Sequence, residues 1–234
     1  MNHMQSVATE IFRGLSQSYD VVVDIVTLFQ DRWWKKWVAV RLDATRPQLV
    51  LDIGCGTLLF EERYPSPGRN FVGLDLSRQM LMLGKGKGIP RASMIVQGDA
   101  EHLPFRSAAF DSVISCYVAK YVDVAAFGNE VSRVTRERGT VIIYDFAKPR
   151  GISAPFLLAY ISAGLRALGL VMRIVMNKTA FTFVKLPHVI ENTTWDLTMG
   201  EILKRSGIDL TEARPLTGGV VFAISGRSGG SRRL

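Results

Sequence analysis

The sequence predicts an α/β fold: a doubly wound, mostly parallel sheet of seven strands, with an N-terminal helical segment and a helical cap inserted before the last two strands. Short apolar runs rich in Val, Ile and Leu alternate with helical stretches across residues 48–147. These runs lack strict apolar–polar alternation, as expected of parallel strands covered on both faces. The length of 234 residues suits a single domain, which we place at residues 1–227.

Residues 1–47 have the pattern of helices. Their apolar residues recur at spacings of three and four, which predicts one buried stripe. The stripe consists of Val21, Val22, Ile25, Val26, Phe29, Trp33 and Trp37. Arg32, Lys35 and Lys36 lie off or beside it. For the tryptophans of this segment we expect core packing with one exposed ring, not stacking on nucleic-acid bases.

Residues 48–147 are expected to form the cofactor-binding core. Five apolar runs have the character of buried strands: Leu49–Ile53, Phe71–Leu74, Ser93–Val96, Val113–Cys116 and Val141–Tyr144. The helical stretches between them are Ser77–Lys87, which Ser77 can cap, and Val124–Arg136. Strand–helix alternation of this kind implies right-handed crossovers.

Residues 148–190 interrupt this rhythm and are predicted to be an apolar, cationic cap. The segment from Phe146 to Ile190 contains six Lys or Arg residues and no acidic residue. We favour a plain roof over the active site as the role of this cap, because its polar face is narrow and sparsely charged, and contact with an anionic lipid surface is the alternative.

Residues 191–227 are predicted to close the fold with a helix and a strand pair. Thr193 and Asp196 have the spacing of a capping box, and Gly207 has the position of a left-handed helix stop after Ser206. Two strands, Ile208–Ala213 and Val220–Ser225, are expected around the Gly218-Gly219 turn, followed by a disordered tail at 228–234.

Composition limits the classes of function. Two cysteines do not make a disulfide scaffold, and three scattered histidines do not give zinc spacing, so we expect no metal site. No signal peptide is evident, and the longest uncharged apolar run, Gly151–Leu165, is 15 residues, short of the roughly 20 of a bilayer span. We therefore expect a cytoplasmic protein, with peripheral membrane contact left open. The net charge of +8 leaves acidic partners open as well.

A glycine motif follows the first predicted strand. Gly54-Cys55-Gly56-Thr57 has the spacing of a tight strand-to-helix turn, where missing Cβ atoms let a ligand approach the backbone. Asp75 follows Gly56 by 19 residues, at the end of the second strand, where a carboxylate can accept hydrogen bonds from both hydroxyls of a ribose.

Two further aspartates separate this motif from a dinucleotide site. Asp52 lies two residues before Gly54, where a carboxylate opposes a pyrophosphate but suits an ammonium group. Asp99 ends the third strand, where it can accept from the exocyclic amine of a purine. The three carboxylates together describe an adenosine that carries a cationic amino-acid arm, which is S-adenosylmethionine.

The chain resembles the class I methyltransferases. The run Gly98-Asp99-Ala100-Glu101-His102-Leu103-Pro104-Phe105 with Phe110-Asp111 is similar to their third- and fourth-strand signature. Phe12, Tyr19-Asp20, Arg32-x-Trp34-Lys35 and Thr217-Gly218-Gly219-Val220 are similar to patterns of the C-methyltransferases of ubiquinone and menaquinone biosynthesis. The resemblance covers most of residues 7–227.

The resemblance implies a set of cofactor contacts. Thr57 and the turn around Gly54, Cys55 and Gly56 face the methionine part, and Asp52 belongs to the same motif. Asp75 and its neighbour Leu76 take the ribose, Asp99 and Ala100 flank the adenine, and Cys116 stands where the family usually has a serine.

The sequence departs from the family at three places. A third glycine is replaced by Leu58, a bulkier residue expected beside the cofactor. An Arg-Asn pair that follows the fourth strand is replaced by Lys120-Tyr121, and a Pro-Gly-Gly turn by Glu137-Arg138-Gly139.

The catalytic candidates are Tyr19, Lys120 and His188. Lys120 can stabilise a phenolate, Tyr19 can hydrogen-bond to the substrate or relay a proton, and a histidine is readily poised near neutral pH. Cys55 and Cys116 are expected to be small buried residues and not nucleophiles.

The function that the sequence favours is transfer of a methyl group to a small lipophilic acceptor, with ring C-methylation of a prenylated quinol as the specific hypothesis. The alternatives are a methyltransferase of another small molecule or of RNA, and a non-catalytic S-adenosylmethionine-binding module. No base-modifying motif is present, which disfavours RNA. The sequence does not predict the oligomeric state.

Overall fold

The computed structural model describes residues 19–66, 68–88, 92–151, 154–159, 163 and 186–229. Its helices are α1 (Tyr19–Val26), α2 (Gln30–Thr45), α3 (Leu59–Arg63), α4 (Arg78–Gly86), α5 (Val124–Val134), α6 (Leu186–Asn192) and α7 (Trp195–Arg205). Its strands are β1 (Leu49–Ile53), β2 (Asn70–Asp75), β3 (Ala92–Gln97), β4 (Phe110–Cys116), β5 (Thr135–Phe146), β6 (Ile208–Leu216) and β7 (Val221–Ser228).

The seven strands form one sheet in the order β3-β2-β1-β4-β5-β7-β6. The pairs among β1 to β5 are parallel, whereas β7 is antiparallel to β5 and to β6. The predicted doubly wound, mostly parallel sheet is therefore confirmed. The strand order reverses at β1, which lies between β2 and β4, and open α/β sheets bind ligands at the carboxyl ends of strands beside such a reversal.

Apolar side chains cover both faces of this sheet. On one face, Leu51 and Val113 pack with Phe127 of α5 and Met199 of α7. On the other, the residues of β1, β4 and β5 pack against Trp34, Val38 and Leu42 of α2. Burial on both faces explains why the sequences of the central strands are largely continuous apolar runs.

The prediction of one buried stripe in the N-terminal segment is wrong. The helix breaks between α1 and α2, where Leu28 and Phe29 have left-handed φ values of 50° and 62°. The buried face of α2 consists of Asp31, Trp34, Lys35, Val38, Ala39 and Leu42. Most of the predicted stripe is exposed instead, while the expectation of buried tryptophan with one exposed ring is confirmed by Trp34 and Trp33. Lys35, which we expected beside a buried stripe, is itself buried because Asp31 pairs with it at 2.6 Å.

Smaller differences concern element ends. Helix α5 ends at Val134, two residues before the predicted end, because the chain enters β5 at Thr135. The predicted capping box at Thr193 is wrong, since no side chain caps α7 and Asp196 pairs with Arg150. Ser228 still belongs to β7, so the predicted tail cannot begin there. Most of the predicted cap lies outside the described residues.

Three local predictions hold. Ser77 caps α4 by accepting a hydrogen bond from the Met80 N–H at 3.4 Å. Gly207 follows α7 with a left-handed φ of 89°. The Gly218-Gly219 turn, within a 3₁₀ segment, joins β6 to β7.

Candidate functional site

A cleft of about 720 Å³, measured to its open mouth, lies at the carboxyl ends of β1 to β4. The described residues that line it are Tyr19, Gly54, Gly56, Leu74, Asp75, Leu76, Ser77, Met80, Gly98, Asp99, Ala100, Cys116, Tyr117, Val118, Tyr121 and Val122. Seven of the predicted cofactor-binding residues belong to this lining, as does Tyr19.

The glycine turn after β1 forms the floor of the cleft. Gly54 has a φ of 77°, and a Cβ atom added there would lie 2.1 Å from Cγ2 of Val118. Gly56 has a φ of 55°, and a Cβ atom added there would lie 3.4 Å from Cε of Met80 and 4.0 Å from Cε1 of Tyr19. The turn is fixed because the Gly54 N–H donates to the carbonyl oxygen of Leu74 at 2.7 Å. Glycine is therefore required at position 54 both for backbone conformation and for space.

Asp75 lies at the edge of the cleft, at the end of β2. Its Oδ2 accepts from the Gly56 N–H at 2.9 Å and its Oδ1 accepts from the Ser77 N–H at 2.8 Å. Burial raises the pKa of this carboxyl group, and the two backbone donors oppose that effect. Each carboxylate oxygen can accept more than one hydrogen bond, so a vicinal diol can still be bound by both.

Asp99 lies just beyond β3, on the neighbouring edge. The Gly98 N–H donates to the carbonyl oxygen of Asp75 at 3.1 Å, which ties the two edges together. Oδ1 of Asp99 accepts from the Glu101 N–H at 3.0 Å. His102 is largely exposed in the turn beyond, as expected of a surface residue.

Asp52 lies beneath the glycine turn, not on the described wall of the cleft. It shares a face of β1 with Val50, which packs toward α2. Burial and the neighbouring carboxyl group of Glu61 raise the pKa of Asp52 well above its ordinary value, and burial raises the pKa of Glu61 to about 7. The pair therefore retains a proton at moderately acid pH.

Thr57 and Cys55 support the turn from behind. The hydroxyl group of Thr57 donates to Oδ1 of Asp20 at 2.5 Å, and Lys87 pairs with the other oxygen of Asp20 at 2.6 Å. Cys55 faces Gly73 of β2, where a Cβ atom would lie 2.7 Å from its sulfur. Neither residue belongs to the described lining, so their assignment as cofactor contacts stays a prediction.

Leu58 does not stand beside the cleft as the family pattern suggested. Its φ is 59°, a conformation that favours the glycine found there in the family. Its side chain is buried against Gly73 and Gly84, where Cβ atoms would lie within 3.0 Å of it. The missing Cβ atoms of these two glycines make room for the leucine side chain, which is not part of the described lining of the cleft.

The segment after β4 forms an apolar wall that the sequence argument missed. Tyr117, Val118, Tyr121 and Val122 line the cleft there. Tyr117 has a left-handed φ of 68°, and its hydroxyl group donates to Oδ1 of the buried Asp31 at 2.8 Å. The available signal was position, since residues that directly follow parallel strands meet at the ligand-binding edge.

The surroundings of the two thiols near the cleft disfavour the nucleophilic thiolate form. Burial raises the pKa of both Cys55 and Cys116 well above the ordinary value, with nearby carboxylates adding to the effect. A thiol with a raised pKa stays neutral and unreactive at physiological pH.

Tyr19 begins α1 and faces the cleft. Burial raises the pKa of its phenol well above the ordinary value, and Asp31, Tyr121, Asp75 and Asp20 raise it further. A phenol in this environment stays protonated, so it can donate a hydrogen bond but does not act as a base near neutral pH.

Lys120 and His188 are not among the described residues of the cleft wall. The ammonium group of Lys120 donates to Asp145 Oδ1 at 2.7 Å and to the carbonyl oxygen of Tyr117 at 2.9 Å, behind the wall. His188 lies on the exposed side of α6, with its Nδ1 atom 3.1 Å from the amide of Asn192. The structure brings neither to the described wall, and their catalytic roles stay predictions.

The charge of the described lining restricts what can bind. Asp75 and Asp99 are its charged residues, and it includes no lysine, arginine or histidine. Carboxylates of this kind accept from hydroxyl, amino and cationic groups and repel phosphates. No group of three or more potential metal ligands occurs among the described residues.

The sheet order and the cleft define a class I S-adenosylmethionine-dependent methyltransferase. Residues 51–143 match the model of a family described as "Methyltransferase domain". A demethylmenaquinone methyltransferase of Streptomyces avermitilis is 34% identical over 212 residues, which cover 90% of each chain. Another, of Streptomyces griseus, is 31% identical over 214 residues, again 90% of each chain. The chain belongs to the demethylmenaquinone methyltransferase family.

A solved structure supports the fold. The crystal structure of a SAM-dependent methyltransferase from Aquifex aeolicus has a TM-score of 0.52 with 14% sequence identity, covering 77% of this chain and 82% of that one. The cofactor of the enzyme is S-adenosylmethionine.

Proposed function

We propose that the enzyme transfers a methyl group from S-adenosylmethionine to a ring carbon of a prenylated quinol of the demethylmenaquinol type. The observation that carries the proposal is identity of 31–34% over 90% of the chain to relatives named demethylmenaquinone methyltransferase. The apolar wall after β4 and the lack of cations in the described lining support an uncharged aromatic acceptor over RNA.

The cleft residues fit the cofactor part by part. Asp75, with both oxygens already aligned by backbone donors, takes the two ribose hydroxyls. Asp99 and Ala100 flank the adenine, and the turn at Gly54 and Gly56 admits the methionine arm close to the backbone. When bound, S-adenosylmethionine supplies the methyl group as an electrophile.

The chain must then orient the acceptor, exclude water and favour its phenolate. After the acceptor's phenol has lost its proton to solvent, a π electron pair of the phenolate ring would form the bond from the ring carbon to the methyl group, and the methyl–sulfur bond would break with its pair left on sulfur. The proton on that ring carbon then leaves to solvent, which restores the aromatic ring. Tyr19 donates a hydrogen bond to a quinol oxygen, which stabilises the developing negative charge. Tyr117, Val118 and Tyr121 pack against the ring and keep water away.

Methyl transfer to the reduced acceptor tests the proposal directly. Purified enzyme is incubated with methyl-labelled S-adenosylmethionine and either demethylmenaquinol or its oxidised quinone, and the products are identified by mass spectrometry. We expect a ring C-methyl product from the quinol alone, because the oxidised ring has no phenol to ionise. Label found only in an RNA or protein fraction of a cell extract would contradict the proposal.

Replacement of Tyr19 tests its role within the reaction. Tyr19→Phe is expected to lower kcat about 10- to 100-fold, consistent with loss of one stabilising donor. Cofactor affinity, measured by calorimetry, should change little. Unchanged kcat on the quinol would remove Tyr19 from the mechanism.

A further inference from the structure

The first two helices present an apolar ridge to solvent. We define the ridge as Val21, Ile25, Leu28, Phe29 and Trp33. Their exposed fractions are 63%, 42%, 62%, 54% and 80%, respectively. Contiguous exposed apolar groups on this scale mark an interaction site more often than isolated exposed residues do.

The backbone is strained at the centre of the ridge. Leu28 and Phe29 both adopt left-handed φ values, which are unfavourable for large side chains. Thr27 fixes the break from both sides: its hydroxyl group donates to the carbonyl oxygen of Val23 at 2.8 Å and accepts from the Asp31 N–H at 3.2 Å. Strain that the surrounding structure maintains is typical of functional segments.

Two acidic residues next to the ridge in sequence, Asp24 and Asp31, are buried, whereas Asp20 is half-buried against Lys87 and Asp43 is exposed near the far end of α2. Asp24 is buried and pairs with two arginines, Arg63 at 2.7 Å and the exposed Arg32 at 2.8 Å, so this cluster keeps a positive charge, and Asp31 is buried and pairs with Lys35 at 2.6 Å. The outward charges next to the ridge are therefore cationic.

Two exposed cations flank the ridge. Arg32 lies with its guanidinium carbon 5.2 Å from the centre of the Phe29 ring, and Lys36 is exposed one turn beyond Arg32. An apolar surface that carries an exposed tryptophan and is bordered by cations is complementary to the interface of an anionic bilayer.

The ridge begins on the helix that also contributes Tyr19 to the cleft. Tyr19 lines the cleft, and Val21 follows it by two residues on the same helix. Residues two apart point to nearly opposite sides of a helix, so a surface that rests on the ridge lies one helix diameter, roughly 10 Å, from the cleft.

We propose that this ridge inserts into the headgroup region of an anionic membrane and sets the cleft beside the bilayer that holds the acceptor. The second half of the statement rests on the proposed function, whereas lipid binding itself does not. A second copy of the chain would also bury apolar surface, but it does not account for the cations beside the ridge, which would repel each other across a symmetric contact.

Flotation with vesicles tests the ridge. The full chain is mixed with vesicles of phosphatidylcholine alone or with added phosphatidylglycerol, and the bound fraction is measured after density centrifugation. The ridge variant is Phe29→Asn with Trp33→Gln, because Asn tolerates the left-handed backbone at position 29. The matched control is Met82→Gln with Leu197→Gln, which removes two apolar residues with 53% and 59% exposure elsewhere.

The wild type and the control are expected to float with the anionic vesicles. The ridge variant should bind at least about tenfold more weakly, with an unchanged Tm. Added salt should weaken wild-type binding because it screens Arg32 and Lys36. Equal flotation of the ridge variant, or no flotation of the wild type, overturns the proposal. So does a wild-type dimer that the ridge variant dissociates, measured by light scattering.

Turnover separates the ridge from the proposed function. With a short-chain acceptor in solution, the ridge variant and the wild type should have the same kcat/KM. With a long-chain acceptor in vesicles, the ridge variant alone should be slower. If no quinol is methylated by any of the proteins, the proposed function fails, while differential flotation still supports lipid binding by the ridge.

Discussion

The ammonium group of Lys120 donates to the Asp145 carboxylate at 2.7 Å, and both side chains are buried directly behind the wall of the cleft. Asp145 Oδ2 also accepts from the Lys120 N–H at 3.0 Å. The same ammonium group holds the carbonyl oxygen of Tyr117, whose backbone is left-handed, and lies 4.3 Å from the centre of the Tyr121 ring. We infer that Lys120 positions the two wall tyrosines and does not touch the acceptor.

Loss of the Lys120 side-chain charge is expected to damage stability first. Lys120→Met leaves Asp145 buried without its partner, which typically costs about 3–5 kcal/mol of unfolding free energy. Lys120→Met with Asp145→Leu should recover much of this loss, since neither charge then remains buried. Urea denaturation of the three proteins measures both changes.

Kinetics distinguish positioning from direct catalysis by Lys120. If it positions the wall, Lys120→Arg should retain an ion pair with Asp145, raise KM for the acceptor through a displaced wall and leave the pH profile of kcat unchanged. A new or shifted pKa in that profile would show that the ammonium group itself acts on the substrate.

The buried pair of Asp52 and Glu61 should make stability fall as pH rises. The pKa of Glu61 is raised from 4.5 to about 7 in the folded protein, so the folded state binds a proton more tightly than the unfolded state. Its contribution is present below pH 4.5 and is lost as pH rises through about 7.

Replacement of Glu61 tests this pH dependence. Glu61→Gln should raise the unfolding free energy at pH 8, by at most on the order of 3 kcal/mol, and reduce the fall between pH 5 and 8. The neighbouring variant Glu62→Gln is the control, since Glu62 is half-exposed and pairs with Lys87. Parallel urea curves for the wild type and Glu61→Gln across this range would contradict the assignment.

The central sheet could be predicted from sequence because its signals are local and strong. Runs such as Leu49–Ile53 are apolar except for Asp52, and the observed strand has the same bounds. The N-terminal helices could not be predicted as well, because Val21, Ile25, Phe29 and Trp33 have the spacing of a buried stripe but face solvent. The buried side of α2 contains Asp31 and Lys35 instead, and periodicity does not reveal that two charges are buried as a pair.

The candidate site, like the fold, could be predicted only in part. Asp75 and Asp99 lie at strand ends, so their place at one edge of the sheet follows from motif spacing and topology. The position of the Asp52 side chain could not be predicted, because the motif does not show on which face of β1 that side chain lies. Tyr117 was missed because its role depends on a tertiary hydrogen bond to Asp31, 86 residues away along the chain.

The turn at Gly54 should not tolerate a methyl group. Gly54→Ala places Cβ 2.1 Å from Val118 Cγ2 at a φ of 77°, so it combines a clash with an unfavourable backbone conformation. We expect a loss of about 1–3 kcal/mol in unfolding free energy and weaker cofactor binding. Gly54→Ala with Val118→Ala should recover the steric part alone, and equal stability of Gly54→Ala and the wild type in thermal unfolding would contradict this view of the turn.

Asp75 should determine cofactor affinity and its pH dependence. In Asp75→Asn, one of the two backbone donors, at Gly56 or Ser77, faces an amide NH₂ group, and the charged acceptor for the ribose is lost. Hydrogen bonds to charged groups contribute about 1.5–3 kcal/mol each, so S-adenosylmethionine and its demethylated product should bind roughly 10- to 100-fold more weakly. In the wild type, the affinity for S-adenosylmethionine should fall as the pH falls through the raised pKa of Asp75, because the protonated carboxyl group is a poorer hydrogen-bond acceptor. The Asn variant should not show this fall. Calorimetric titration of both proteins from pH 8 downward measures the effect, with the exposed Glu201→Gln as control; if Asp75→Asn binds like the wild type at pH 8, the ribose assignment is wrong.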